Sequence, residues 1–371
     1  MKIKHLQLLS FTMLFFAFNA CKTTQIIGNS ERNFDVIAYY SGNGSDLTKY
    51  QWDHLSQVIF CFCHLRGNQM AVDNAGDSLV IRQLVGLKRQ HPGLKILLSL
   101  GGWGGCAECS DVFSSASGRQ EFALSVKQIL DMYGADGIDL DWEYPGIEGY
   151  PGHTYKLEDK QHFTMLVQEL RKILGKTPEI SFAAGGFGSF FDQSVEWSKV
   201  MPLVNRVNLM SYDLVNGYSK VTGHHTPLMS SEKQESSVQH GVQSLLSRGV
   251  PASKIVIGAA FYARTWVGVE NIDNGLYQAG TFKSFVPYNQ FDAYFKPADG
   301  YIFYRDAVSQ APYAYSATRE EFATFDDAES VEAKTKFAQK KGLGGIMFWQ
   351  LGSDKADNGL LQAIFKALKP N

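Results

Sequence analysis

Short apolar runs alternate along this chain with longer stretches of helical periodicity, beginning near residue 35. The runs Asp35–Tyr40, Gln57–Cys63, Lys95–Leu100, Gly137–Asp141, Ile180–Ala184, Arg206–Ser211, Ile255–Phe261 and Gly345–Trp349 read as strands. Helical patterns fall between them at Ser117–Tyr133, Leu157–Leu174, Glu235–Arg248 and Ala328–Lys341, and Gly359–Leu368 closes the chain. Strand and helix in alternation imply parallel strands. Eight such repeats predict an α/β fold, the closed (β/α)8 or TIM barrel. A doubly wound sheet would instead want a glycine-rich phosphate turn after its first strand. Residues 41–45 are rich in glycine but lack that spacing, and no Walker motif appears.

One connection is too long for this scheme. Residues 265–327, rich in Tyr, Phe and Gly, separate the seventh strand from the next helix. A structureless loop of that length is improbable in a compact domain, so a small α+β insertion is expected there. It would emerge at the C-terminal face of the barrel, where the active sites of this fold are built. Residues 30–371 are therefore read as one catalytic domain with an insertion, without an internal repeat or a linker to a second unit.

Composition narrows the functional classes. Of 371 residues, 44% are hydrophobic and 19% charged, which is ordinary for a globular enzyme. The formal net charge of −2, with no block of like charge, argues against nucleic acid as a partner. Aromatic residues reach 13%, enough for both a core and a carbohydrate site, since sugar rings offer flat C–H faces that stack on aromatics.

Residues 1–20 read as a targeting segment to be set aside from the fold: Lys2 and Lys4 precede the apolar run from Leu6 to Phe18. That run is too short to span a bilayer, which takes about twenty residues. Ala20-Cys21 resembles a bacterial lipobox, which implies lipidation of Cys21 and a place on the cell envelope, at the outer membrane or periplasmic face. Plain secretion is the alternative. Among the other cysteines, Cys61 and Cys63 alternate with Phe60 and Phe62 and are expected on one face of a strand, as small buried hydrophobes. Cys106 and Cys109 have a spacing shared by redox motifs and half zinc sites, but no second pair completes a metal site. A local disulfide is the expectation there.

The chemistry concentrates on the fourth strand. Asp139, Asp141 and Glu143 are two residues apart and so share one side of it, while Ile138, Leu140 and Trp142 face the helices. Three carboxylates pointing into a barrel repel one another and are costly to bury, and this strand supplies no cation to offset that. A metal site is the rival explanation, but no His or Cys joins the cluster in sequence. Acid catalysis is the better reading. Glu143 lies at the end nearest the cleft and is the natural general acid, with Asp141 and Asp139 deeper and tuning it.

The run Asp136-Gly-Ile-Asp139-Leu-Asp141-Trp-Glu143-Tyr-Pro resembles the hallmark of glycoside hydrolase family 18. Ser99-Leu-Gly-Gly-Trp103, Met210-Ser-Tyr212-Asp213, residues 222–228, residues 258–264 and Gly344-Gly-Ile-Met-Phe-Trp349 are similar to other motifs of that family, with Ala263 where Gly is usual. The resemblance implies a retaining, substrate-assisted mechanism, an exception to the two-carboxylate scheme. Glu143 would protonate the glycosidic oxygen and later activate water. The substrate's own 2-acetamido oxygen would attack the anomeric carbon. Asp141 would orient the acetamido N–H, Asp139 would share its proton, and Tyr212 would hold the acetamido oxygen. Trp349 would form the floor under the sugar; Asp213, Met210, Arg264 and Tyr262 would line the same subsite, joined by Trp103, Tyr39 and Phe62.

No cofactor is implied. The expected partner is an N-acetylglucosamine oligomer or polymer, met by a monomer whose one link to a membrane is the lipid at Cys21. Three functions fit: a chitinase or chitooligosaccharide hydrolase, an endo-β-N-acetylglucosaminidase acting on N-glycan cores, or a non-catalytic sugar-binding relative. The long insertion favours the first and the presence of Glu143 and Asp141 disfavours the third. With no chitin-binding module in view, a soluble oligosaccharide is the expected substrate.

Overall fold

A computed structural model describes residues 34–369. The targeting segment and Cys21 lie outside the described residues. Eight parallel strands close on themselves: β1 (Asp35–Tyr40), β2 (Gln57–Arg66), β3 (Lys95–Gly101), β4 (Gly137–Asp141), β5 (Glu179–Gly185), β6 (Arg206–Met210), β7 (Ile255–Ala260) and β8 (Gly345–Trp349). Each pairs with the next, and β8 returns to β1 in the register Asp35 to Gly345. The alternation read along each run is the cause. One set of residues faces the surrounding helices in a large apolar layer, and the other fills the barrel, where Ile37, Ile59, Leu97, Val256 and Met347 pack together. Each such burial is worth roughly 1.5–3 kcal/mol relative to exposure.

Four of the helices start where the sequence offers a cap. Asn74, Ser115 and Ser237 each accept a backbone N–H in the first turn of helices Ala75–Leu87, Ala116–Tyr133 and Val238–Ser247. Asp327 and Ser330 form a reciprocal capping box on Ala328–Lys340. Between β1 and β2 only two short 3-10 turns stand in place of a helix.

Two local readings are corrected. Cys61 and Cys63 do not share a face: Cys61 joins the barrel interior and Cys63 the outer layer. The register of β2 against β3 shifts between Phe60 and Cys63, so the side-chain alternation resets across that irregularity. The seventh strand ends at Ala260, and the chain from Tyr262 to Val267 belongs to a second sheet. This sheet has five antiparallel strands in the order Thr281–Pro287, Tyr262–Val267, Glu321–Thr324, Ala311–Ser316 and Tyr301–Asp306.

Buried polar networks fix both ends of the barrel. At the N-terminal end Glu179 of β5 bonds to Arg206, Lys95 and Gln57, and Arg206 also reaches Asp35 at 3.1 Å. Behind β7, Lys334 Nζ lies 2.6 Å from Asp326 Oδ2, with both side chains wholly buried. Asp326 also accepts from Ala260 N at 3.0 Å and from Ser330 Oγ at 2.6 Å, which ties β7 to the helix. Lys334→Met leaves that carboxylate buried without its cation and should cost about 3–5 kcal/mol in urea unfolding. A loss below 1 kcal/mol would mean the pair is not holding the helix on the barrel.

Candidate active site

The site grows from the acid row on β4. Asp139 is fully buried, and each of its oxygens takes two hydrogen bonds. Tyr39 O–H (3.0 Å) and Ser99 O–H (3.1 Å) donate to Oδ2; Ser181 O–H (2.6 Å) and Asn208 N–H (3.1 Å) donate to Oδ1. These donors come from β1, β3, β5 and β6, and Ser99, Asp139 and Ser181 sit opposite one another in the parallel register. The next carboxylate outward, Asp141, is 4% exposed, and its Oδ1 has no hydrogen-bond partner in the protein. Glu143, just past the strand end, is half-buried at the cavity surface.

Burial dominates the electrostatics. It raises the Asp139 carboxyl above its ordinary range, against the pull of its four donors. It raises Asp141 further, and the neighbouring charges of Glu143 and Asp139 add to this. Glu143 is pushed up to about 7 by burial and by the Asp213 charge, against a hydrogen bond from Tyr144. The group nearest the cavity thus holds a proton near neutrality, as a general acid must. Asp213 moves the other way: burial raises it, but His225 and Arg264 outweigh burial and hold it well below the usual carboxylate range. Arg264 grips it with two bonds, Nε to Oδ1 at 2.8 Å and a terminal nitrogen to Oδ2 at 2.6 Å.

Above the row lies an open cavity of about 830 Å³. It is lined by eleven of the twelve site residues named from the sequence: Glu143, Asp141, Tyr212, Asp213, Met210, Arg264, Tyr262, Trp103, Tyr39, Phe62 and Trp349. Asp139 lies beneath them. Trp349 stacks on Phe62, with ring centres 5.8 Å apart and planes 16° apart, and packs against Tyr39 at 6.0 Å. The Tyr212 hydroxyl makes only a weak contact to Met347 Sδ at 3.9 Å; burial, then the charges of Asp141 and Glu143, hold its proton on. Arg264 and Tyr262 reach the cavity from the second sheet, whose outer strand adds Phe282 and Phe285 to the wall. Among the described residues, no group of His, Cys, Asp and Glu side chains is arranged to hold a metal ion.

Sequence reasoning missed the donors Ser99, Ser181 and Asn208, and the wall residues Tyr144, Phe187, Asn216, Tyr218, Phe282 and Phe285. Two of the three donors had a signal. Asn208 stands two before Met210, and Ser99 lies within the motif ending at Trp103, so period two aims both inward. Nothing local marks Phe282 and Phe285, because the sheet that brings them to the cavity is formed by long-range pairing.

The family model for Glycosyl hydrolases family 18 matches residues 35–354. Chitinase A1 of Niallia circulans is 37% identical over 314 residues, covering 78% of this chain and 44% of that protein. Chitotriosidase-1 of Mus musculus is 32% identical over 317 residues, covering 81% of this chain and 67% of that protein. The chain therefore spans less than half the length of the first of these relatives. A solved glycoside hydrolase family 18 N-acetylglucosaminidase from Paenibacillus barengoltzii is similar at TM-score 0.82 and 32% identity, over 90% of this chain and 100% of that one.

The proton affinity of Glu143 has a stability consequence. Its carboxyl rises from an ordinary 4.5 to about 7 on folding, so the native state binds more protons than the unfolded chain between those values. Stability drawn from this group therefore falls as pH rises through that window. Glu143→Gln removes the penalty. The variant should be more stable than wild type in urea unfolding at pH 8, with the gap nearly closed at pH 4.5. A gap independent of pH would show that Glu143 is not buried at such a cost.

Proposed function

The chain belongs to glycosyl hydrolases family 18, and on that premise we propose that it is a chitinase-type glycosidase cleaving β-1,4-linked N-acetylglucosamine oligomers. Relatives named as chitinase A1, chitotriosidase-1 and an N-acetylglucosaminidase support this substrate class. One observation carries the mechanistic reading: Asp141 presents a buried oxygen with no protein partner, between a fully bonded Asp139 and a Glu143 that is protonated near neutrality. A buried acceptor left empty costs free energy, and a substrate N–H would relieve it.

Glu143 donates its proton to the glycosidic oxygen as the bond to the anomeric carbon breaks. The 2-acetamido oxygen of the same sugar attacks that carbon from the opposite side and closes an oxazolinium ring. Asp141 accepts the acetamido N–H and stabilises the positive charge that grows there. The Tyr212 hydroxyl, protonated and without a strong partner, donates to the acetamido oxygen and keeps it in line. Glu143, now a carboxylate, takes a proton from water, which opens the ring with retention. Asp213 is a poor nucleophile for this step, because Arg264 holds both of its oxygens. Trp349 and Phe62 offer a flat apolar floor for the sugar ring.

The wall formed by Phe282 and Phe285 favours an extended chitooligosaccharide over a branched N-glycan core. Lys2, Lys4, the apolar run and Cys21 support export with lipid on Cys21, at the bacterial cell envelope.

Three outcomes are expected on an N-acetylglucosamine pentamer. Wild type cuts it with retained β-anomer products and leaves the de-N-acetylated pentamer intact, read by product chromatography and NMR. Cleavage of both substrates would remove the acetamido group from the mechanism. Glu143→Gln lowers kcat by roughly 10²–10⁴-fold or more. The alkaline limb of kcat/KM bends near pH 7, as Glu143 loses its proton, and falls tenfold per unit above it. If a high-mannose glycopeptide is turned over and the pentamer is not, the N-glycan reading replaces this one.

A further inference from the structure

The charged side chains that line the cavity are Asp141, Glu143, Glu148, Asp213 and Arg264. Arg264 and Asp213 hold each other through two bonds and cancel in charge. Burial raises the carboxyls of Asp141 and Glu143, and Glu143 keeps its proton up to about 7. Glu148 is left over. It is exposed at the cavity surface, and among the described residues no hydrogen bond or ion pair holds it. The lysines nearest to it along the chain are engaged elsewhere, Lys156 with Asp111 and Lys160 with the carbonyl of Asp192.

The two neighbours of Glu148 fix its place. Ile147 is buried in the apolar layer outside the barrel. Gly149 packs on the end of β4, where a Cβ would fall 2.1 Å from Glu143 O and 2.7 Å from Tyr144 N, so no larger residue fits. Glu148 is thereby held beside the outer end of the acid row, on the same cavity. A hydrated carboxylate gains little from a sugar hydroxyl, which only replaces water. A cation gains more, because a cleft with low-dielectric walls and an uncancelled charge concentrates the opposite charge. In a chain of N-acetylglucosamine, a ring that has lost its acetyl group is glucosamine, whose amine is a cation. Such a ring cannot occupy the reacting position, where the acetamido oxygen is the nucleophile. We propose that Glu148 selects glucosamine at a ring next to the reacting one, so that the preferred substrate is a partly de-N-acetylated chitooligosaccharide. This rests on the reading of the cavity as a chitooligosaccharide site.

The test is calorimetry at pH 6 in the Glu143→Gln background. The probes are the N-acetylglucosamine pentamer and the five pentamers that each carry a single glucosamine. At least one of the five should bind about two- to fivefold tighter than the acetylated pentamer, the value of an exposed ion pair. Glu148→Gln should bring that ratio to about one, with an unchanged melting temperature, and Glu148→Asp should retain part of it. Added salt should shrink the ratio as well. A ratio that survives Glu148→Gln would overturn the inference, because another group would then be reading the amine. If Glu143→Gln binds the acetylated pentamer and prefers none of the five, this inference alone falls. If it binds none of the six, the reading of the cavity has failed, and this inference falls with it.

Discussion

The burial of Asp139 inside the barrel is the constraint on which the rest of the site depends. A carboxylate without water is expensive unless its lone pairs are filled, and four side chains fill them, two on each oxygen. Because Tyr39, Ser99, Ser181 and Asn208 stand on β1, β3, β5 and β6, the interaction is satisfied only when the barrel has closed in one register. A one-residue slip of any of these strands would turn its donor to the helices and leave the charge bare. The polar centre therefore specifies the fold that carries it, while the apolar layers on either side supply most of the stability.

With Asp139 saturated, the imbalance passes up the strand. Asp141 is buried beside two other acids, with one oxygen unmatched, and Glu143 keeps its proton up to about 7. Arg264 meanwhile ties down Asp213, a half-buried carboxylate on the wall. The result is an acid, an empty acceptor and a hydroxyl donor around one cavity. That combination suits a substrate that brings its own acetamido group. It also costs stability at neutral pH, the usual exchange between a poised site and a relaxed one.

Much of this was legible in the sequence because period two survives within single strands. The eight runs are the eight barrel strands, with ends shifted by a few residues, and the spacing of Asp139, Asp141 and Glu143 put them on the inward face. The failures share a physical origin in contacts between distant segments. The irregularity in β2 that separates Cys61 from Cys63 is a matter of register against β3, which no local pattern encodes. The sheet that delivers Arg264, Phe282 and Phe285 to the cavity is built from pairings such as Tyr262 with Pro287 and Thr324 with Arg264. The donors to Asp139 lie 40 to 100 residues away from it in sequence.

In the proposed mechanism no side chain of this protein becomes covalently bonded to sugar during turnover. An activated 2-deoxy-2-fluoro glycoside of the N-acetylglucosamine dimer, with the acetamido group at the reacting ring replaced, tests it directly by intact-protein mass spectrometry. Unmodified protein is expected after long incubation, because the fluoro sugar lacks the nucleophile and the enzyme supplies none in its place. A stoichiometric mass increase that maps to Asp141 or Asp213 would contradict it and make the site an ordinary two-carboxylate retaining centre.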